Sequence, residues 1–297
     1  MKTENKKEAA SSGGKSKRGQ LWLTWVRFRK NKLSMLSLIV FLGLLIMCLA
    51  APLYINYDRV TVQNIANAFV PPNSEYLFGT DQFGRDLFAR IIYGGRISLA
   101  SGLVTIGIAF VLGVALGGAS GYFGGITDTI IMRFCDVLMS VPGVLLSMTI
   151  VAALGQGLIK MLIALSVAQI PRQARTVRAA VMTLRGQEFI EAAKSCGTGN
   201  VRILMKHILP NVLGPLIISV MSGLGGTILS IASLGFLGIG IAPPTPEWGT
   251  IISENQSSLM YYPHLGIIPG LFIMAAVLTL NFIGDGLRDA LDPKQKN

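Results

Sequence analysis

Long apolar runs constrain this chain more than any other feature. From Leu33 to Leu53 there is no charged residue, and Ser34 and Ser37 are the only hydroxyl side chains. A helix needs about 20 apolar residues to cross the hydrocarbon of a bilayer. Within lipid the backbone must satisfy its own hydrogen bonds, so such runs become helices. Comparable runs lie near Ile97–Tyr122, Thr129–Leu154, Val212–Gly240 and Leu265–Leu287. A weaker one, Leu158 to Ala179, is interrupted by Pro171 and Arg172. Charged residues make up 14% of the chain, against about 25% in soluble domains. The expected fold is an all-α polytopic membrane protein with six transmembrane helices. A basic stretch before an apolar run also describes a signal peptide. Here the run is long for that, and the bulky Met47 before Cys48 argues against a lipoprotein cleavage site. An uncleaved anchor is expected.

The formal net charge is +11. No basic face with interleaved aromatics appears, so nucleic-acid binding is not expected. The cations flank the apolar runs instead, and cytoplasmic loops are enriched in Lys and Arg. With six spans and the N-terminus inside, the inner side receives the N-terminal cluster, Arg133, the stretch from Arg172 to Lys206, and Arg288, Lys294 and Lys296. The outer side receives Arg59, Arg85, Arg90, Arg96 and Lys160. Both termini are therefore expected in the cytoplasm. Met1 to Gly19 reads as a polar, disordered tail. Leu21 to Asn31 reads as an interfacial helix, with Trp22, Trp25 and Phe28 toward lipid and Arg27, Arg29 and Lys30 toward headgroups. The chain divides into a basic tail with that helix (1–32), a first span with an outer loop (33–96), a core of five spans (97–287) containing a cytoplasmic loop at 183–211, and a cytoplasmic tail (288–297).

Several short matches to catalytic motifs lack their context. Ala9–Ser16 loosely matches a phosphate loop, which needs a strand before it and a helix after it. It sits in a low-complexity tail, so nucleotide binding is not expected there. Gly118-Ala119-Ser120-Gly121 resembles an intramembrane serine protease motif, but His207 and His264 both fall outside the expected spans. The spacing of Gly113, Gly117 and Gly121 suits close helix packing better. Gly284-Asp285 resembles an aspartyl protease motif without its second glycine, because Phe282 stands there. Asp136 is expected to pair with Arg133 one turn away. A carboxylate in a span is nevertheless a functional candidate by default. Cys48, Cys135 and Cys196 have no metal or disulfide spacing.

The stretch from Gln187 to Asn211 is more organised than a linker requires. Gln187 to Cys196 can form a short helix, with Glu188 and Glu191 near its N-terminus, where the dipole favours them. Gly197 is placed to stop it. Asn200 can cap a second helix, with Val201, Ile203, Leu204, Ile208 and Leu209 as its apolar side, and Pro210 ending it. The small Ala192 and Ala193 permit close approach of another protein. On physical grounds alone, docking to a protein and resting on the bilayer are equally good readings.

The spacing Glu191-Ala192-Ala193, then Gly197, then Ile208-Leu209-Pro210 resembles the EAA loop of ABC importer permeases. Phe78-Gly79-Thr80-Asp81-Gln82-Phe83-Gly84-Arg85-Asp86 through Ser98, Asp136 to Gly143, and Gly238 to Gly249 with its Pro246-Glu247-Trp248-Gly249 resemble the dipeptide, oligopeptide and nickel subfamily. The layout resembles the C-type member of its permease pair. The resemblance implies the type I ABC importer permease fold in a bacterial inner membrane. It implies a second homologous permease, two ABC ATPase subunits, an extracytoplasmic binding protein and surrounding lipid as partners. It further implies that the chain is not an enzyme, that it carries no cofactor, and that ATP and Mg sit on the ATPase subunits. Glu191, Ala192, Ala193, Gly197, Ile208, Leu209 and Pro210 are then the docking residues. Asp136, Ser140, Gln169 and Ser222 are candidates for the solute path, with Ser147, Ser219 and Ser230 beside them. Peptide is the preferred solute, and nickel-type members share the motifs. A stand-alone secondary transporter would need coupling carboxylates or inverted repeats, and no repeat is visible.

Overall fold

The computed structural model describes residues 17–291, with side chains from residue 22. The phosphate-loop-like Ala9–Ser16, most of the polar tail and residues 292–297 lie outside them. Helix α1 spans Lys17–Lys30 and α2 spans Lys32–Leu49. Asn31 separates them. Its side chain accepts from the Leu33 and Ser34 amides, satisfying donors that the helix start leaves unpaired. Trp22 and Trp25 are exposed, as an interfacial helix requires. Phe28 is not turned toward lipid. It is 3% exposed and packs with Ile283 and Ala290 of the last helix.

The main helices that follow are α3 (Leu87–Phe123), α4 (Gly125–Met139), α5 (Gly143–Leu154), α6 (Leu158–Arg185), the short α7 (Glu188–Ser195), α8 (Asn200–Phe236), the short α9 (Trp248–Glu254) and α10 (His264–Leu291). Among the described residues, α2, α3, α8 and α10 are each long and apolar enough to cross a membrane.

Three expected spans differ in detail. Thr129–Leu154 is not one straight helix. It breaks around Ser140–Pro142 into α4 and α5, bent by 86°, and only the pair together is long enough to span. Proline disfavours helical geometry in the residue before it, which places the break. Pro171 does not interrupt α6, which continues through it to Arg185. At 28 residues α6 is roughly 42 Å long. With Lys160, Arg172, Arg175, Arg178 and Arg185 it is not among the helices apolar enough to span by composition. Pro210 does not end a segment either, because α8 runs through it from Asn200. A π-helical turn at Leu204–Ile208 directly precedes it, with the Leu209 amide bonded to the Leu204 carbonyl. That wider turn absorbs the missing proline donor and relieves the ring's clash with the preceding carbonyl.

The glycine ladder on α3 seats α6. A Cβ added at Gly113 would fall 2.5 Å from the Gln173 Cβ, at Gly117 2.2 Å from the Ala174 carbonyl oxygen, and at Gly121 2.8 Å from that of Arg178. Hydrogen at these positions lets two backbones touch. Leu99, Ile106, Leu224, Ile228, Ile273 and Leu280 fill a core between α3, α8 and α10. A separate core at the other end of α3 holds Tyr122, Val177, Val181, Ile190, Ile203, Ile208 and Leu216.

Candidate functional site

The loop between α6 and α8 is seated on that second core. Ile190 of α7 is fully buried among Tyr122, Val177, Val181 and Ile203. On the same short helix Glu188, Glu191 and Ala192 are exposed, and Ala193 is half-buried against the core. Helix α7 ends in a Schellman motif. The Thr198 amide donates to the Ala193 carbonyl (3.1 Å) and the Gly197 amide to that of Lys194 (2.9 Å), with Gly197 at φ +72°. A side chain is strained in that conformation, which is why glycine stands there. Asn200 is not the cap of the next helix. Gly199 holds that place, and the Asn200 side chain accepts from the Tyr122 hydroxyl at 2.9 Å. That bond ties the loop to the end of α3. Val201 is 68% exposed rather than part of the apolar side. Ile208 and Leu209 are buried and Pro210 half-buried, so these three support the loop from within α8.

Helices α4 and α6 are joined by ion pairs. The Arg178 guanidinium donates through Nε and Nη2 to both oxygens of Asp128, each at 2.6 Å. Ser120 of α3 donates to the same carboxylate, so its partner is Asp128 and not a histidine. Asp136 pairs with Arg175 of α6, not with Arg133. Near the bend, α4, α5, α6 and α8 enclose a cleft of about 320 Å³ lined by Pro142, Ser147, Gln169, Arg172 and Ser230, among others.

Of the four expected path residues, Gln169 lines this cleft, and its amide donates to Thr227 Oγ1 of α8 at 2.8 Å. Ser140 sits at the end of α4 and bonds the Val137 carbonyl of its own helix. Asp136 is half-exposed in its ion pair. Ser222 is exposed and lies against Gly284 of α10, away from the cleft lining. Ser147 and Ser230 bond their own helices, while Ser219 reaches across to Gln173.

Sequence reasoning missed a buried polar network at the other end of α3. Asp81 accepts from Arg85 Nε and Arg90 Nη1, each at 2.7 Å, and from the Phe83 and Arg85 amides. Glu254 of α9 accepts from both guanidinium groups. Asp86 caps α3. Glu247, fully buried, caps α9 through the Thr250 amide and accepts from Ser98 of α3. Burial pushes its carboxyl above the usual range. Trp248 is fully buried and donates from its indole to the Ile91 carbonyl at 2.9 Å. The two motifs from Phe78 and from Pro246 therefore meet. The signal available beforehand was four acids, Asp81, Asp86, Glu247 and Glu254, and two arginines in an otherwise charge-poor chain.

Solved inward-facing structures of the methionine ABC transporter MetNI share this architecture. Two crystal forms match with TM-scores of 0.56 and 0.57 at 21% and 20% identity, over 68% and 69% of this chain and 97% and 98% of theirs. The fold is that of a type I ABC importer permease. Residues 109–297 match the family described as the binding-protein-dependent transport system inner membrane component, and residues 19–72 match the N-terminal transmembrane domain of oligopeptide transport permease C. The dipeptide transport system permease protein DppC of Alkalihalophilus pseudofirmus is 43% identical over 91% of this chain and 89% of its own length. DppC of Haemophilus influenzae is 41% identical over 92% and 94%. The glutathione transport system permease protein GsiD of Escherichia coli is 40% identical over 92% and 90%. The chain belongs to the family of binding-protein-dependent transport system inner membrane components.

Proposed function

We propose that this chain is a permease subunit of an ATP-driven importer that takes up di- or oligopeptides delivered by an extracytoplasmic binding protein. One observation carries the mechanism. A short helix presents Glu191 and Ala192 outward while Ile190 roots it in the core shared by α3, α6 and α8. A force applied to that helix is passed to three long helices at once. In this reading α7 docks into an ATPase subunit, and the segment 183–211 is the coupling loop. Ile208, Leu209 and Pro210 brace it rather than touch the partner. The chain pairs with a second permease, and two ATPase subunits hold ATP and Mg. Both termini lie in the cytoplasm, with α6 counted as the sixth span. Closure of the ATPase pair shifts the spans between two arrangements, and a solute biases that equilibrium only through unequal affinity for them. The dipeptide and glutathione relatives are what favours peptide as the solute.

The test is a combined E191K and G197V variant in the assembled transporter. Loss of ATPase co-purification and of peptide uptake is expected. Normal values of both would sink the docking role. Uptake of a labelled peptide series beside nickel decides the solute.

A further inference from the structure

Helix α6 carries Arg172, Arg175 and Arg178, one at each turn. Helix α4 answers them in antiparallel order, Asp128 for Arg178 and Asp136 for Arg175. Helix α4 then ends at Met139, and the chain turns into α5. Arg172, next in the series, faces the bend and has no carboxylate opposite. Among the described residues its guanidinium has no hydrogen-bond or ion-pair partner. It lines the cleft beside Gln169, Ser147 and Ser230.

Arg172 sits midway along α6, roughly 20 Å from either end. Its side chain is exposed where it lines the cleft, so its donors are open to an anionic ligand entering there. The cleft, about 320 Å³, lies at the lower end of small-molecule pockets, roughly 300–1,000 Å³. Leu138, Val144 and Leu165 make much of its remaining wall apolar. A planar fork of N–H donors suits a carboxylate, as its two neighbours on α6 already demonstrate.

We propose that the cleft at the α4–α5 bend is a station on the solute path, in which Arg172 binds the C-terminal carboxylate of a peptide. The inference rests on the peptide reading above. The carboxylate is the one anionic group that every free linear peptide shares. Holding it alone lets peptides of different sequence pass, with their side chains against the apolar wall. A ligand bound there touches both halves of the bent helix pair.

The experiment uses the complete transporter with its binding protein in cells. Uptake of one labelled peptide is compared in its free-carboxylate and C-terminally amidated forms, at concentrations giving measurable wild-type uptake of each. The ratio of free to amidated uptake is read for wild type, R172Q and R172K. The binding protein is common to all arms, so its own preference cancels between them. R172Q is expected to lower the ratio about tenfold, the size of one lost charge-assisted pair, and R172K to restore much of it. An equal fall in uptake of both forms would make Arg172 structural and overturn the station alone. Absence of peptide uptake in wild type would overturn the peptide reading and the station with it.

Discussion

Glu247 shows at the residue scale how a motif letter becomes a physical constraint. It is fully buried and caps α9, and its other oxygen accepts from Ser98. The next residues explain themselves the same way. A Cβ at Gly249 would fall 1.9 Å from the Ala232 carbonyl oxygen, so no larger residue fits. Because burial holds the Glu247 carboxyl above its ordinary range, the folded state keeps this proton after the unfolded chain has lost it. Stability contributed by the protonated form is complete at acidic pH and is lost as pH rises through the folded value. E247Q keeps an acceptor for the cap and removes the titration. The melting temperature of E247Q minus that of wild type, measured in detergent, should therefore rise from acidic to neutral pH. A difference that is flat or falls would contradict the burial argument.

At the scale of the element, small residues and prolines mean what their neighbours allow. Gly117 and Gly107 lie on the same helix, and the sequence cannot rank them. A Cβ at Gly117 would meet the Ala174 carbonyl at 2.2 Å, whereas one at Gly107 meets nothing within 4 Å. G117A should cost about 1–3 kcal/mol through overpacking. G107A should be neutral or gain up to about 1 kcal/mol from helix propensity. Thermal unfolding of the two purified variants checks the ranking. The prolines teach the same lesson. Pro142 accompanies a break of 86°, yet Pro171 and Pro210 lie within helices that continue. Pro171 is itself buried and its neighbour Ala174 packs on the Gly117 backbone. The π-turn before Pro210 accommodates its ring.

Across the whole molecule, α3 joins two differently built ends, one apolar and one charged. Its Tyr122 end holds the loop between α6 and α8, and its Leu87 end is clamped by Asp81, Arg85, Arg90 and Glu254. These groups are almost wholly buried. Removing one partner from such a network leaves an uncompensated charge and costs about 3–5 kcal/mol. D81A should thus unfold at a markedly lower temperature or fail to assemble in the membrane. E75A, on the exposed loop beside it, should stay within about 0.5 kcal/mol of wild type. The clamp ties the loop before α3 to α9.

The sequence by itself determined the class of fold, most span positions and the presence of a structured loop between α6 and α8. Those properties depend on local quantities, namely run length, charge asymmetry and the spacing of glycine and alanine. It also indicated that Gly197 ends a helix, since a left-handed position is a local requirement. What only the tertiary structure decided was partnership. Asp136 pairs with Arg175 rather than Arg133, Asn200 bonds Tyr122 rather than capping, and Ile208 turns inward. Each of these is settled by a side chain on another helix, up to 78 positions away in the case of Tyr122. Arg172 is the clearest instance. As a letter in the chain it is one more cation of a basic stretch, and its lack of a partner appears only when α4 breaks before reaching it.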